Sequence, residues 1–264
     1  MKIVRAGFGV LLAAGLAGCS SSPSPEELQA TLEKNPQILY NVIEKHPAEF
    51  LEVLNKAVAA AQAQQAQAAT HADQRRLDAE FSDPKKPVIT PNRAVRGNPQ
   101  APVTIVEYTD FQCPYCRRET EVLKNVMTKY GGQVRMVLKQ TPLSIHPQAL
   151  PAAQLYEAIA MQSPEKAWRF HDILFANQDA IEQGGTAYLV RAAREAGADV
   201  PRAIRDAQGK QVGAIIEGDQ AEAKRFGFSG TPGILINGVA FDGAYPEADL
   251  ERVIDRHLQT LGKT

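Results

Sequence analysis

A chain of 264 residues, 44% apolar and 22% charged, has the make-up of an ordinary soluble protein and length for one or two domains with a real core. Lys and Arg number 29 against 30 Asp and Glu, a net charge of −1, so the basic surplus of a nucleic-acid binder is missing and nucleic acid is not expected as a partner.

The chain opens on Met1-Lys2-Ile3-Val4-Arg5, followed by the uncharged run AGFGVLLAAGLAG, which ends on Cys19. Residues 1–18 read as a secretory signal, shorter than the ~20 apolar residues a spanning helix needs. Leu16-Ala17-Gly18 before Cys19 resemble the lipobox of bacterial lipoproteins. The resemblance implies that the Cys19 thiol is acylated and anchors the mature chain, with residues 19–24 as a tether; an ordinary signal holding a free cysteine is the alternative. Ser20 in place of an aspartate resembles the sorting signal for the outer membrane. Loss of the signal removes Lys2 and Arg5 and shifts the net charge to about −3.

Between Ser20 and Arg96 there is no glycine, which favours long helices over β structure. Ser24-Pro25-Glu26-Glu27 sets out an N-cap, a proline at the first helical position and a capping-box glutamate. Next comes an eleven-residue repeat, LEKNPQILYNV (32–42) and IEKHPAEFLEV (43–53). In each copy Asn35 or His46 can cap a helix that the following proline begins. Two short helices and a long one, from 47 to about 81, are expected. Phe50, Leu51, Leu54 and Val58 share a face of the long helix ahead of the tract AVAAAQAQQAQAA. So few large apolar residues cannot bury a core alone, so residues 25–81 read as a helical module that associates with another copy, as a homodimer or trimer. A solvated helical spacer is the other reading.

Residues 82–101 read as a linker, since five prolines fall between positions 82 and 102. The pattern then changes. VTIVEYTD (103–110) and QVRMVLKQ (133–140) read as buried strands joined by the helical PYCRRETEVLKNVMTKY, a βαβ unit. Residues 147–226 show apolar spacings of three and four and read as a helical insertion. GILI (233–236), an Asn237-Gly238 hairpin turn, VAF (239–241) and a helix from about 246 to 261 close a domain spanning 102–264.

Cys113-Pro114-Tyr115-Cys116 lies where the first strand meets the helix. Unpaired amides and the partial positive charge of a first helical turn stabilise a thiolate, so Cys113 is expected as the exposed nucleophile. Cys116, one turn in, is expected as the shielded resolving thiol, and in an oxidising compartment the two can form a disulfide. A zinc site would need about four ligands, and the histidines at 46, 71, 146, 171 and 257 are scattered, so no metal or other cofactor is expected. Haem attachment would need histidine where Arg117 stands. A purely structural disulfide is a further alternative, though so small a ring constrains the unfolded chain little. Thr231-Pro232, leading into a late strand, resembles the cis-proline loop that thioredoxin-like proteins bring beside their cysteines, which implies a backbone free to pair with an extended substrate chain; a trans proline in a plain turn is the alternative. Glu107 falls inside an apolar strand, where an acid is costly unless it exchanges protons with Cys116; an edge-exposed glutamate without a role is the alternative.

Together VEYTDFQCPYC, FSGTPGILING and the helical insertion between them resemble the DsbA-like branch of the thioredoxin superfamily, over roughly residues 85–264. The resemblance implies an α/β thioredoxin fold with a helical insertion, preceded by an all-α oligomerisation module. It assigns Cys113, Cys116, Glu107 and Pro232 as nucleophile, resolving cysteine, buried acid and cis-proline, with Pro114, Tyr115 and Thr231 beside the substrate. Pro114-Tyr115 and Thr231 depart from the Pro-His and valine of strongly oxidising members and look more like the isomerase side. A less oxidising couple is expected, because tyrosine lacks the charge of histidine. The implied activity is formation and isomerisation of disulfides in exported proteins, in the periplasm, with a DsbB-like or DsbD-like membrane redox partner. A monomeric oxidase and a redox-linked chaperone or copper-tolerance thiol protein are the competing functions.

Overall fold

The computed structural model describes residues 23–262. The signal, Cys19 and most of the tether lie outside the described residues. Among those described, no helix is long and apolar enough to cross a membrane. The chain divides into two compact units at residue 70/71.

In the N-terminal unit, α1 (Pro25–Lys34) begins with the full capping box: Glu27 N–H donates to Ser24 Oγ at 3.2 Å and Ser24 N–H to Glu27 Oε2 at 3.0 Å. α2 (Pro36–Lys45) and α3 (Pro47–Ser82) each start on the proline of a repeat copy. Asn35 stands at the N-cap of α2, but contrary to the expectation its side chain does not cap that helix. Its Nδ2 instead donates back to the Thr31 carbonyl at 3.1 Å, closing α1. Neither short helix buries a residue, and Leu28, Ile38, Leu39, Tyr40, Val42 and Phe50 stand exposed.

The C-terminal unit is built on a five-stranded sheet in the order β1-β3-β2-β4-β5. β2 (Val103–Thr109) and β3 (Val134–Gln140) run parallel, joined by α4 (Pro114–Tyr130), and Glu107 pairs with Leu138 in their register. β4 (Gly233–Ile236) is antiparallel to β2, and β5 (Val239–Asp242) is antiparallel to β4. The Asn237-Gly238 turn joins them with φ of 46° and 95°. Gly238 is required there twice over: its φ is left-handed, and a Cβ would collide with the Lys85 carbonyl.

Strand alternation sorts the sheet residues into two layers. Val106, Tyr108 and Leu235 pack with Ala223, near the end of α9 (Lys210–Arg225). Val103 and Ile105 pack on the opposite face with Cys116, Leu123 and Val126 of α4 and Leu250, Val253 and Ile254 of α10 (Glu247–Leu261). Between β3 and β4 stand α5 (Ala149–Ala160), α6 (Pro164–Ala176), α7 (Gln178–Glu195), α8 (Val200–Ala207) and α9, the helical insertion. α7 continues across a break at Gly185, φ 51°.

Two boundaries differ from the sequence reading. The stretch 82–101 is more than a linker: it holds β1 (Val95–Gly97), an edge strand antiparallel to β3. Residues 71–82 of α3 belong with the C-terminal unit. Leu77 there is 2% exposed, and the side chains on either side of it close the outer edge of β5. Arg76 Nη1 donates to the Ala240 carbonyl at 2.9 Å, while Glu80 accepts the Ala240 N–H. Such cover keeps a bare strand from pairing with another chain. Leu77→Ala should therefore lower the stability of the C-terminal unit by about 2–4 kcal/mol, read as an earlier urea midpoint.

Candidate functional site

β2 ends at Thr109, and a short tied loop delivers Cys113 to the start of α4. Asp110 Oδ1 accepts from Gln112 N–H at 2.7 Å, and its Oδ2 from Leu143 N–H at 2.8 Å. His146 Nδ1 lies 2.7 Å from the same Oδ2. From α7, Gln178 Nε2 donates to the carbonyls of Phe111 and Cys113, each at 2.9 Å. The insertion thus fastens the loop that carries the first cysteine. Neither Asp110 nor Gln178 was marked by the sequence, because a side chain that binds backbone across a fold leaves no spacing signal.

Cys113 is the N-cap of α4, and Pro114 follows in the first turn, where its missing N–H costs nothing. Both thiols are free. One expectation is corrected: Cys113 is not exposed. It is 4% accessible and Cys116 0%, because Thr231 and the α4 backbone close over the first sulfur. Pro114 and Tyr115 provide the exposed surface instead, Tyr115 at 54%, with the Arg118 guanidinium 4.5 Å from its ring centre.

The two thiols differ in ionisation. Cys113 is held down to about 5, first by the Cys116 thiol hydrogen-bonding to it, then by the Thr231 side chain and the amides of Cys116 and Tyr115, against the cost of burial. When protonated, its Sγ donates to the Thr231 carbonyl at 3.3 Å. Cys116 is pushed well up, first by burial and then by its bond to Cys113 and the nearby charge of Glu107. One thiolate and one thiol therefore sit a helical turn apart near neutral pH, the charges arranged for attack by the first and resolution by the second.

Thr231–Pro232 is a cis peptide bond immediately ahead of β4, outside the registered pairs of the sheet. Thr231 meets Cys113 directly, so the two motifs, far apart in sequence, form one site. Glu107 is wholly buried on β2 and pushed up to about 8, by burial first and then by the charge of Glu119. Thr109 Oγ1 donates to Glu107 Oε1 at 3.0 Å and also lies against Cys116, so the hydroxyl stands between acid and thiol. Thr109 escaped the sequence reading because threonine is an ordinary strand residue. A groove of about 470 Å³ runs beside the site, lined by Tyr115, Glu119, Val122, Thr231 and Tyr245. Among the described residues, no group of three or more His, Cys, Asp or Glu side chains converges as a metal site would require.

A βαβ-based sheet carrying Cys-X-X-Cys at a helix N-terminus opposite a cis-proline loop defines a thioredoxin-fold protein, and the five-helix insertion makes it DsbA-like. The model of the thioredoxin family matches residues 89–256, and the chain belongs to that family. Among solved structures, it is similar to a thioredoxin-like oxidoreductase from Silicibacter pomeroyi DSS-3, at 30% identity and TM-score 0.56, covering 64% of this chain and 94% of that one. ScsC of Proteus mirabilis, in a transitional conformation, matches 88% of this chain and 99% of its own at TM-score 0.56; at 17% identity the likeness is one of fold. Among curated proteins, the Na(+)/H(+) antiporter NhaA 1 of Mycolicibacterium gilvum is 32% identical over 173 residues, 64% of this chain. The chain spans only 27% of that relative, so the relative's name says nothing of the chemistry of this chain.

Alkylation of Cys113 in the reduced protein should reach half its maximal rate near pH 5. Thiolate stabilisation of the reduced fold is complete above the ordinary thiol range, shrinks as pH falls towards about 5 and is absent below it. The urea midpoint of the reduced form should therefore pull away from that of the oxidised form as pH rises through this window.

Proposed function

We propose that this protein is a thiol-disulfide oxidoreductase acting on cysteines of exported proteins through Cys113 and Cys116. The observation that carries this reading is the ionised, helix-capping Cys113 set against Thr231 of the cis-proline loop, with a protonated partner thiol behind it. Cys113 attacks a substrate disulfide, a mixed disulfide forms, and either Cys116 or a second substrate thiol resolves it. The Thr231 backbone receives the extended substrate chain beside the sulfur, and Pro114, Tyr115 and the groove walls contact its side chains.

Isomerase activity together with some oxidase activity is the finer reading. Tyr115 places no histidine charge beside Cys113, which favours a less oxidising couple. The N-terminal unit supports association of two or three copies: its helices expose Ile38, Leu39, Tyr40, Leu51 and Val53, with nothing of the described unit burying them. Paired sites facing one cleft would hold a substrate while its disulfides reshuffle. Acylation of Cys19 would fix the assembly to a membrane on the periplasmic side, the outer membrane by its Ser20 signal, with a DsbB-like or DsbD-like protein setting its redox state.

Cys113→Ser should abolish reduction of insulin and repair of scrambled ribonuclease, whereas Cys116→Ser should accumulate mixed disulfides visible on a non-reducing gel; retained activity in Cys113→Ser would point to a holdase instead. Gel filtration should show a dimer or trimer that becomes monomeric on removal of residues 20–70. A monomer in both forms would leave a simple oxidase as the better description.

A further inference from the structure

The groove beside Cys113 has an acid in its floor. Glu119 lies three residues after Cys116 on α4, so the two side chains share the helix face that packs on the sheet. Glu107 reaches the same layer from β2, since Ile105, Glu107 and Thr109 alternate with Val106 and Tyr108 on the other face. One thiol and two carboxyl groups, all at most 1% exposed, are thus brought between α4 and β2. Each carboxyl has one hydrogen-bonded oxygen and one bare. Glu107 Oε1 accepts from Thr109 and Glu119 Oε2 from the Tyr245 N–H at 3.1 Å, while Glu107 Oε2 and Glu119 Oε1 are buried with no partner among the described residues. Unpaired buried carboxyl oxygens are costly, and a carboxyl that takes up and passes on a proton needs one. The two acids differ in access. Glu107 is enclosed, whereas Glu119 lines the groove with Thr231 and Tyr245.

We infer that Glu119 relays protons between the enclosed Glu107 and the substrate groove, and so positions the proton that Cys116 gains or loses in each exchange. The inference rests on the exchange reading and deepens it. In reduction of a substrate disulfide, the Cys116 thiol gives its proton to the Glu107 carboxylate. By then the Cys113 thiolate has attacked one substrate sulfur and released the other as a thiolate, leaving a mixed disulfide; the pair freed on Cys116 forms the bond to Cys113 Sγ, the bond from Cys113 to the substrate breaks, and the substrate sulfur leaves with the electron pair of that broken bond. The proton passes from Glu107 to Glu119 and into the groove, where the departing thiolate takes it. The two electrons come from the Cys113/Cys116 dithiol, and oxidation of a substrate runs the same path backwards.

The electrostatics fit this order. Burial holds Glu119 up at about 7, and Glu107 at about 8, so a proton crosses between them without a steep step in either direction. The groups facing the pair are Cys113 at the cap of α4, Cys116 and Arg118 of α4, Thr109 of β2, Asp242 of β5, the phenols of Tyr115, Tyr245 and Tyr156 of α5, and Arg96 of β1; the Cys113 charge acts on Glu107 in the same sense as Glu119 and the Arg96 charge in the opposite sense. Asp242 is occupied by Ser229, whose N–H and hydroxyl donate to it at 3.1 and 2.9 Å.

The test is single-turnover reduction of a fluorescently labelled disulfide peptide by the reduced full chain, followed from about pH 5 to about pH 9 in the wild type, Glu119→Gln and Glu119→Asp. Glu119→Gln should slow release of the labelled thiol at least about tenfold near neutrality. It should also shift the pH midpoint downward, because Glu107 loses the charge that raises it, and imidazole entering the groove should restore the rate. Glu119→Asp should keep most of it. A Glu119→Gln profile that superposes on the wild type overturns the relay and leaves Glu119 as a clamp on Tyr245. Should the variants fail to fold, carboxyl ¹³C resonances of the wild type decide: titration of Glu119 near neutrality supports the relay, and titration in the ordinary carboxylate range overturns it. A wild type that reduces no peptide at any pH overturns the exchange reading itself, an outcome distinct from a working wild type indifferent to Glu119.

Discussion

The first turn of α4 settles the ionisation of two neighbouring sulfurs in opposite directions. Cys113, at the cap, receives the hydrogen bond of the Cys116 thiol and meets main-chain amides of the first turn, and its charge is favoured. Cys116, one turn further in, meets a carboxyl and apolar side chains, and its charge is refused. The same helix terminus supplies both conditions, because its field fades within one turn while burial deepens along it. Exposure does not separate the two thiols, since both are covered. What separates them is which dipoles each can reach.

The rest of the C-terminal unit keeps that geometry in register. The sheet fixes the height of β2 against β4, and with it the approach of the Thr231–Pro232 loop to Cys113. The insertion, placed between β3 and β4, reaches back through Gln178 to hold two carbonyls of the cysteine loop, and Asp110 fastens the loop to Leu143 and His146 on the other side. Hydrogen bonds of this kind leave the loop little freedom, so the donors to Cys113 are held in place in advance. Behind it, acids from two different elements share a layer with Cys116, and only one of them borders the groove.

Residues 23–70 follow a different logic. Their helices are marked locally, by prolines and a capping box, and by almost nothing that would bury them within one copy. The last turns of α3 behave otherwise, for there Arg76, Leu77 and Glu80 complete the sheet by sealing Ala240 on its edge strand. One continuous helix thus changes character along its length, and the change lies in what its side chains touch.

Much of this was legible without coordinates. Proline at first helical positions fixed the starts of α1, α2 and α3; alternation and apolar runs marked β2, β3, β4 and β5; Cys-X-X-Cys and Thr-Pro marked the two halves of the site. These signals are local, carried by neighbouring backbone geometry and by a thiol spacing that a helix turn reads directly. Three-residue β1, the docking of 71–82, the cover over Cys113, and the parts played by Gln178, Asp110, Thr109 and Glu119 were not legible. An acid on a helix reads as a solvated residue until tertiary packing turns its face inward, and a proton or hydrogen-bond partner contributed by another element has no period in the sequence. Local chemistry determined which two sulfurs stand a helical turn apart; burial and distance, which arise only when separate elements meet, decided how each is charged and what stands beside it.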